Sequence, residues 1–243
     1  MKTRILAHRG AAAYAPENTM PSFEMALEQG ADGFELDVHL SKDGELVIMH
    51  DERVDRTTNA HGFIKDFTLE ELKGFDASYG REGFAGAKIP TLREVYELIR
   101  DTDRIVNVEI KTDIIDYPGI VDKVLAMEDE MGMNGRIIYS SFNHYTIREL
   151  LSKRPEAKTG LLYMSIFAEP WLYAKHFGAA ALHPHFITIS KTPDMAAECA
   201  KLGIETNIWT VDDSDWMERL AKMGVTSIIT DKPDLASTVL FGK

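Results

Sequence analysis

Short runs of β-branched and apolar residues alternate along the chain with longer segments whose apolar positions recur at helical spacing. That alternation is the signature of βαβ units joined into a parallel sheet. Eight runs predict strands, at 5–8, 33–38, 105–110, 136–140, 159–163, 180–183, 205–210 and 227–230. Helices are expected between and after them, over 22–29, 92–100, 119–131, 145–153, 170–177, 193–202, 215–223 and 234–240. Thr91 followed three residues later by Glu94 predicts a capping box at the start of the second of these.

A ninth run, 46–49, breaks the rhythm. A parallel crossover needs about a dozen residues, and only seven separate this run from Val38, so it must return antiparallel. Asp43-Gly44 between the two runs predicts a two-residue hairpin turn, which sets Leu40 opposite Val47 and Asp37 opposite His50. A longer turn slips that register by one residue. From 51 to about 90 the chain leaves the repeat, with scattered glycines and aromatics and one helix start at Thr68-Leu69-Glu70-Glu71. A stretch of that length usually covers or builds a site. Eight strand–helix repeats predict a closed (β/α)8 barrel, an α/β fold that takes about 250 residues. The whole chain, 1–243, is therefore read as one barrel domain with a small insertion at about 51–90.

Composition narrows the partners. The chain is 44% hydrophobic and 27% charged, which suits a packed globule, and no run approaches the roughly 18 apolar residues a membrane helix needs. Stable membrane insertion is not expected. The net charge of −12 counts against a protein that grips nucleic acid or an anionic membrane, so an anionic substrate must be held locally. A lone cysteine, Cys199, forms no internal disulfide, and the first residues do not resemble a secretory signal, so the cytoplasm is expected. Oligomeric state is not legible in the pattern.

In such a barrel the strand C-termini carry the active site. The first strand ends in His8-Arg9-Gly10, with Glu17 close behind, and Arg9 pairing with Glu17 to pin the loop is one reading of both. Glu35 and Asp37 lie two apart on the second strand and point to the same side; Glu109 and Lys111 do so on the third. Like charges at about 4 Å repel by roughly 4 kcal/mol at an effective dielectric near 20, so a cation or a proton must intervene. Either Lys111 or Arg9 neutralises the carboxylates, or a metal does. Three carboxylates without a cysteine cluster suit a hard divalent cation, Mg²⁺ or Ca²⁺, and not Zn²⁺. His8 and His50 add two imidazoles, with reference pKa near 6.5, that can exchange protons around neutrality. Phosphodiester cleavage is the chemistry that most needs this set. His183 and His185 border the same strand ends and are not read as ligands. His39, His61, His144 and His176 are expected in surface or cap positions, and Trp171, Trp216, Met127 and Met131 as packing.

The chain resembles the glycerophosphodiester phosphodiesterases in His8-Arg9-Gly10, Pro16-Glu17-Asn18-Thr19, Glu35-Leu36-Asp37-Val38, Asp43-Gly44 with Val47 and His50-Asp51, Glu109-Ile110-Lys111, Ser141-Phe142, Trp209-Thr210-Val211 and Ile229-Thr230-Asp231-Lys232-Pro233. These occur in order over nearly the whole length. The resemblance implies a TIM-barrel hydrolase that cuts small glycerophosphodiesters to sn-glycerol 3-phosphate and choline, ethanolamine or glycerol. It implies a divalent metal on Glu35, Asp37 and Glu109, acid–base catalysis by His8 and His50 in unassigned order, and phosphate binding by Arg9 and Lys111. Glu17 and Trp209 are carried over as substrate-shell residues. Two rivals remain: a lysophospholipase D, whose acyl groove Phe63, Phe67, Phe75, Tyr79 and Phe84 could line, and a sensor without turnover, which the intact set of site residues disfavours.

Overall fold

The computed structural model describes residues 2–242. Its centre is a closed barrel of eight parallel strands: β1 (Arg4–His8), β2 (Gly33–Leu40), β4 (Ile105–Ile110), β5 (Ile137–Ser141), β6 (Thr159–Tyr163), β7 (Ala181–Pro184), β8 (Glu205–Ile208) and β9 (Ser227–Thr230). β1 pairs with both β2 and β9, which closes the sheet. It is a TIM barrel. The strands are buried on both faces, which is why they read as apolar runs without alternation. Phe34, Leu36 and Val38 of β2 face the helices in the main core, whereas Glu35 and Asp37 take the other side.

The helices fall close to where the spacing puts them. They include α1 (Met20–Glu28), α3 (Leu92–Ile99), α4 (Ile120–Met131), α5 (His144–Lys153) and α6 (Pro170–Phe177). They continue with α8 (Met195–Lys201), α9 (Ser214–Lys222) and α10 (Pro233–Phe241). The Thr91–Glu94 capping box is present on α3. Trp171, Trp216, Met127 and Met131 pack against the core as expected. One short helix, α7 (Phe186–Ile189), was not anticipated.

The strand β3 (Leu46–Ile48) returns antiparallel beside β2, but the expected register is corrected by one residue. His39 faces Val47 and Leu40 faces Leu46, so Asp37 stands opposite Met49, whose N–H reaches the Asp37 carbonyl at 3.0 Å. The cause is a three-residue loop, 42–44, in which Gly44 takes the left-handed conformation at φ +83°. The Asp43 carboxylate accepts from Ser41 Oγ at 2.6 Å and from the Leu69 N–H at 3.0 Å, which ties the turn to the segment beginning at Leu69.

Between β3 and α3 the chain carries a 3-10 turn (Ile64–Asp66) and α2 (Leu69–Gly74), the latter opened by a Thr68–Glu71 capping box. Val54, Ile64, Leu72, Ala77 and Ile89 make a small apolar cluster of their own with Val47 and Met49. Phe67 and Phe75 pack edge to face at 5.1 Å in this cluster, Phe63 lies beneath the Arg53 guanidinium, and Tyr79 points outward. Arg81 donates to the carbonyls of Ala15 and Ala12 at 2.8 and 2.9 Å, fastening this segment over the loop after β1.

Candidate active site

Parallel register brings the acidic residues together. Glu35 is the partner of His8 across β1 and β2, and Asp37 is the partner of Glu109 across β2 and β4. One carboxylate oxygen from each of Glu35, Asp37 and Glu109 lies within 4.8 Å of the others, and all three residues are buried. Three negative charges in so small a space need compensation. Lys111 Nζ donates to Glu109 Oε1 at 2.9 Å and stands 3.8 Å from Asp37 Oδ1; Arg9 Nε is 3.5 Å from Asp37 Oδ2. Both neutralising readings of the sequence are therefore realised to this extent.

The two cations do not finish the task. Burial, reinforced by the charges of Asp37 and Glu109, pushes the Glu35 carboxyl well up, and burial with the Asp37 charge pushes Glu109 up to about 7. Burial acts the same way on Asp37, but Arg9, His50 and Lys111, with a hydrogen bond from Asn18 at 2.8 Å, hold that carboxyl far below its usual range. Asp37 Oδ1 is buried and has no hydrogen-bond partner. An orphaned anionic oxygen beside two carboxyls that resist ionisation is a donor set shaped for a hard divalent cation.

Both histidines stand at this rim, each oriented by a carboxylate. His8 Nδ1 meets Asp231 Oδ1 at 2.7 Å, and His50 Nδ1 meets Asp51 Oδ1 at 2.7 Å. An ionised carboxylate only accepts, so each ring carries a proton on Nδ1 and presents Nε2 to the cavity. His8 Nε2 is 3.9 Å from Glu35 Oε2. Asp231 is itself set by its backbone N–H, which donates to Asp212 Oδ1 at 2.8 Å. The cavity between the histidines is lined by Glu35, Glu109 and Arg9 on one side and by Phe142, Leu162 and Trp209 on the other. Phe142 meets Trp209 edge to face at 5.6 Å, and Trp209 Nε1 donates to the His183 carbonyl at 2.8 Å. Phe142 thus faces the cavity.

The loop after β1 is held in a strained form. Arg9 and Asn18 both have positive φ, +53° and +55°, which costs about 1–3 kcal/mol each for side-chain-bearing residues. The Arg9 N–H bonds the Glu35 carbonyl at 3.0 Å and its Oε2 at 3.1 Å, and the Asn18 N–H bonds the Arg9 carbonyl at 2.9 Å. Gly10 follows at φ +82°, where a Cβ would come within 2.4 Å of Ser22 Oγ. Glu17 does pair with Arg9, at 2.9 Å, and both of its oxygens also accept from Arg56.

Of the nine residues expected at the site, His8, Arg9, Glu35, His50, Glu109 and Trp209 line the cavity, and Asp37, Lys111 and Glu17 join them through Arg9 and Glu109. The orienting Asp51 and Asp231, the bond from Asn18, and Arg56 escaped sequence reasoning. Adjacency to His50 and a strand-end position are the signals that Asp51 and Asp231 offered. Two histidine expectations are corrected. His39 is fully buried, its Nε2 donating to the His50 carbonyl at 3.2 Å and its Nδ1 accepting from Tyr117 Oη at 3.1 Å, because the hairpin and the loop before α4 cover its face. His144 opens α5, but is bonded to Tyr173 Oη and the Leu162 carbonyl at 3.0 Å each. His183 is buried and neutral, with Nε2 accepting from Asn207 at 2.9 Å, and His61 and His176 are exposed.

A model of the glycerophosphoryl diester phosphodiesterase family matches residues 8–235. The chain is similar to a glycerophosphodiester phosphodiesterase of Caldanaerobacter subterraneus subsp. tengcongensis, 51% identical over 236 residues that cover 96% of each chain. Among solved structures it is similar to a glycerophosphodiester phosphodiesterase from Agrobacterium tumefaciens, with a TM-score of 0.86 and 32% identity over 97% of this chain and 99% of that one. It is also similar to a phosphodiesterase of Oleispira antarctica in complex with the product sn-glycerol-3-phosphate, with a TM-score of 0.84 and 28% identity over 98% and 96%.

Proposed function

This chain belongs to the glycerophosphoryl diester phosphodiesterase family, and from that premise we propose that it hydrolyses small glycerophosphodiesters to sn-glycerol 3-phosphate and an alcohol such as choline, ethanolamine or glycerol. The observation that carries the reading is the convergence of Glu35, Asp37 and Glu109 between two histidines whose Nε2 atoms face one cavity.

Glu35, Asp37 and Glu109 would hold a divalent cation, Mg²⁺ or Ca²⁺, which would supply Lewis-acid stabilisation of phosphoryl charge. Arg9 and Lys111 add fixed positive charge where the non-bridging oxygens gather more of it as the bond breaks. One Nε2, of His8 or of His50, takes the proton of the attacking hydroxyl, and the other gives a proton to the departing alcohol. The same two nitrogens serve whether the attacking oxygen belongs to the glycerol or to water. Trp209 and Phe142 wall the side away from the carboxylates and exclude water there. Glu17 takes part by fixing Arg9. Cys199, the sole cysteine, is buried, and action in the reducing cytoplasm belongs to the same proposal. Among the described residues no helix is long and apolar enough to cross a membrane.

A second reading, hydrolysis of acylated phosphodiesters, has one observation in its favour. Met164, Ile166 and Phe167 after β6 and Ile187 after β7 are exposed next to the strand ends that carry Leu162 and Trp209. Release of glycerol 3-phosphate from glycerophosphocholine and glycerophosphoethanolamine, with lysophosphatidylcholine alongside and Mg²⁺, Ca²⁺ or chelator present, tests both. Full activity in chelator discards the metal; preference for the acylated substrate promotes the second reading.

A further inference from the structure

Arg56 lies outside the cavity, on the segment that follows β3, yet it bridges two residues that touch the proposed machinery. Its Nε and Nη2 donate to both oxygens of Asp51 at 2.8 and 2.9 Å, and its Nη1 and Nη2 donate to both oxygens of Glu17 at 2.7 and 2.8 Å. Asp51 in turn orients His50, and Glu17 grips Arg9. The result is an unbroken chain of charge-assisted hydrogen bonds, His50–Asp51–Arg56–Glu17–Arg9, that joins two loops far apart in sequence.

We propose that Arg56 is a positioning residue that fixes the His50 imidazole relative to the Arg9 guanidinium. This rests on the catalytic and phosphate-binding roles given above to those two residues. Only a planar guanidinium can serve two carboxylates bidentately at once; an ammonium offers a point charge without the fork. The need for such a brace comes from the backbone. His50 leaves the hairpin just beyond the last ladder bond, and Arg9 sits in a strained left-handed conformation, so neither side chain is set by regular secondary structure. Without Arg56, Asp51 and Glu17 keep their charges but lose their common partner, and the Arg81 bonds to Ala12 and Ala15 still hold the loops together without fixing Asp51 relative to Glu17. Displacement of a catalytic group by about 1 Å costs on the order of 10²-fold in rate.

The test is steady-state hydrolysis of glycerophosphocholine in saturating Mg²⁺ by R56A, R56K, D51N and the R56A/D51N double variant, with H50A as reference and thermal unfolding of each. The expected result is a fall in kcat of R56A on the order of 10²-fold, partial recovery in R56K, recovery of R56A by added guanidinium chloride at millimolar concentration, and a double variant no worse than D51N alone. Activity of R56A within about twofold of the unaltered protein, while H50A is inactive, overturns the role of Arg56 and leaves the catalytic reading standing. A loss in R56A that tracks its thermal stability, ignores guanidinium and adds fully to that of D51N also overturns it. An active H50A instead removes the premise about His50.

Discussion

Asp37 and Glu109 are register partners on adjacent parallel strands, their carboxylates directed into the barrel mouth with Lys111 Nζ between them at 3.8 and 2.9 Å. One ammonium shared by two carboxylates, with Glu35 adjoining, leaves the cluster short of positive charge, and burial has raised Glu109 to about 7. In the unfolded chain the same group ionises near its ordinary value, so between about pH 4.5 and 7 the metal-free native state binds more protons and loses stability as pH rises. A divalent cation bound by the three carboxylates, as proposed, would displace those protons. At one fixed cation concentration, a hundredfold above the Kd at pH 8, Mg²⁺ or Ca²⁺ is therefore expected to raise the melting temperature by about 5–10 °C at pH 8 and by less at pH 5.5. Thermal melts with cation and with chelator at the two pH values check this, and equal shifts at both contradict it.

Replacing the shared ammonium separates its two duties. Lys111→Met leaves Glu109 without its cation and Asp37 with Arg9 alone, and breaking a buried ion pair from one side costs about 3–5 kcal/mol. A bound divalent cation supplies the missing charge, so the loss in urea midpoint is expected to be large in chelator and much smaller in saturating Mg²⁺. Activity in Mg²⁺ is expected to stay low, because the variant lacks the fixed charge proposed to meet the phosphate. A penalty of the same size in both buffers is the contrary outcome.

His8→Ala and His50→Ala are each expected to abolish turnover, by about 10²–10⁴-fold, with an unchanged circular dichroism spectrum. Asp231→Asn makes a finer distinction. The amide can donate to Nδ1, which lets the proton move to Nε2 and presents the wrong tautomer to the cavity. Its kcat falls with substrate affinity retained. Near-normal rates in either alanine variant refute the acid–base assignment.

The barrel was legible because its strands are buried on both faces and so read as unbroken apolar runs, and the carboxylates because a two-residue interval on a strand fixes a common side. Three things were not. The hairpin register turned on whether Asp43-Gly44 closes a two- or a three-residue loop, which the left-handed Gly44 decides and the dipeptide does not. The two-residue interval puts His39 on the same side of the strand as Asp37, but no pattern says that Tyr117 and the hairpin cover it there. Arg56 carries no local signal at all, since both of its partners are carboxylates reached only after folding, and one is 39 residues away.

The two buried neutral histidines destabilise the fold in acid, alongside the carboxyls held below their usual range. The His183 ring packs so closely over Gly160 of the neighbouring strand that a Cβ there would come within 2.3 Å of its Nε2, and burial, with the Arg4 charge, depresses it to about 3. His39, depressed mainly by burial, titrates at about 4. Both protonate near 6.5 once unfolded. Below that value the unfolded chain takes up protons that the native state refuses, so the stabilisation is complete above about pH 6.5 and is lost as pH falls toward 4 and 3. The raised carboxyls of Glu35 and Glu109 act in the opposite sense over part of the range, so the informative quantity is a difference between variants in one buffer series. His183→Gln is expected to be less stable at pH 7.5, where it gives up packing over Gly160. Its urea stability should then decline less steeply between pH 6 and 4, by up to about 1.4 kcal/mol per pH unit, the contribution of one proton. Parallel curves for the two proteins would show that the native state protonates His183 as readily as the unfolded chain does.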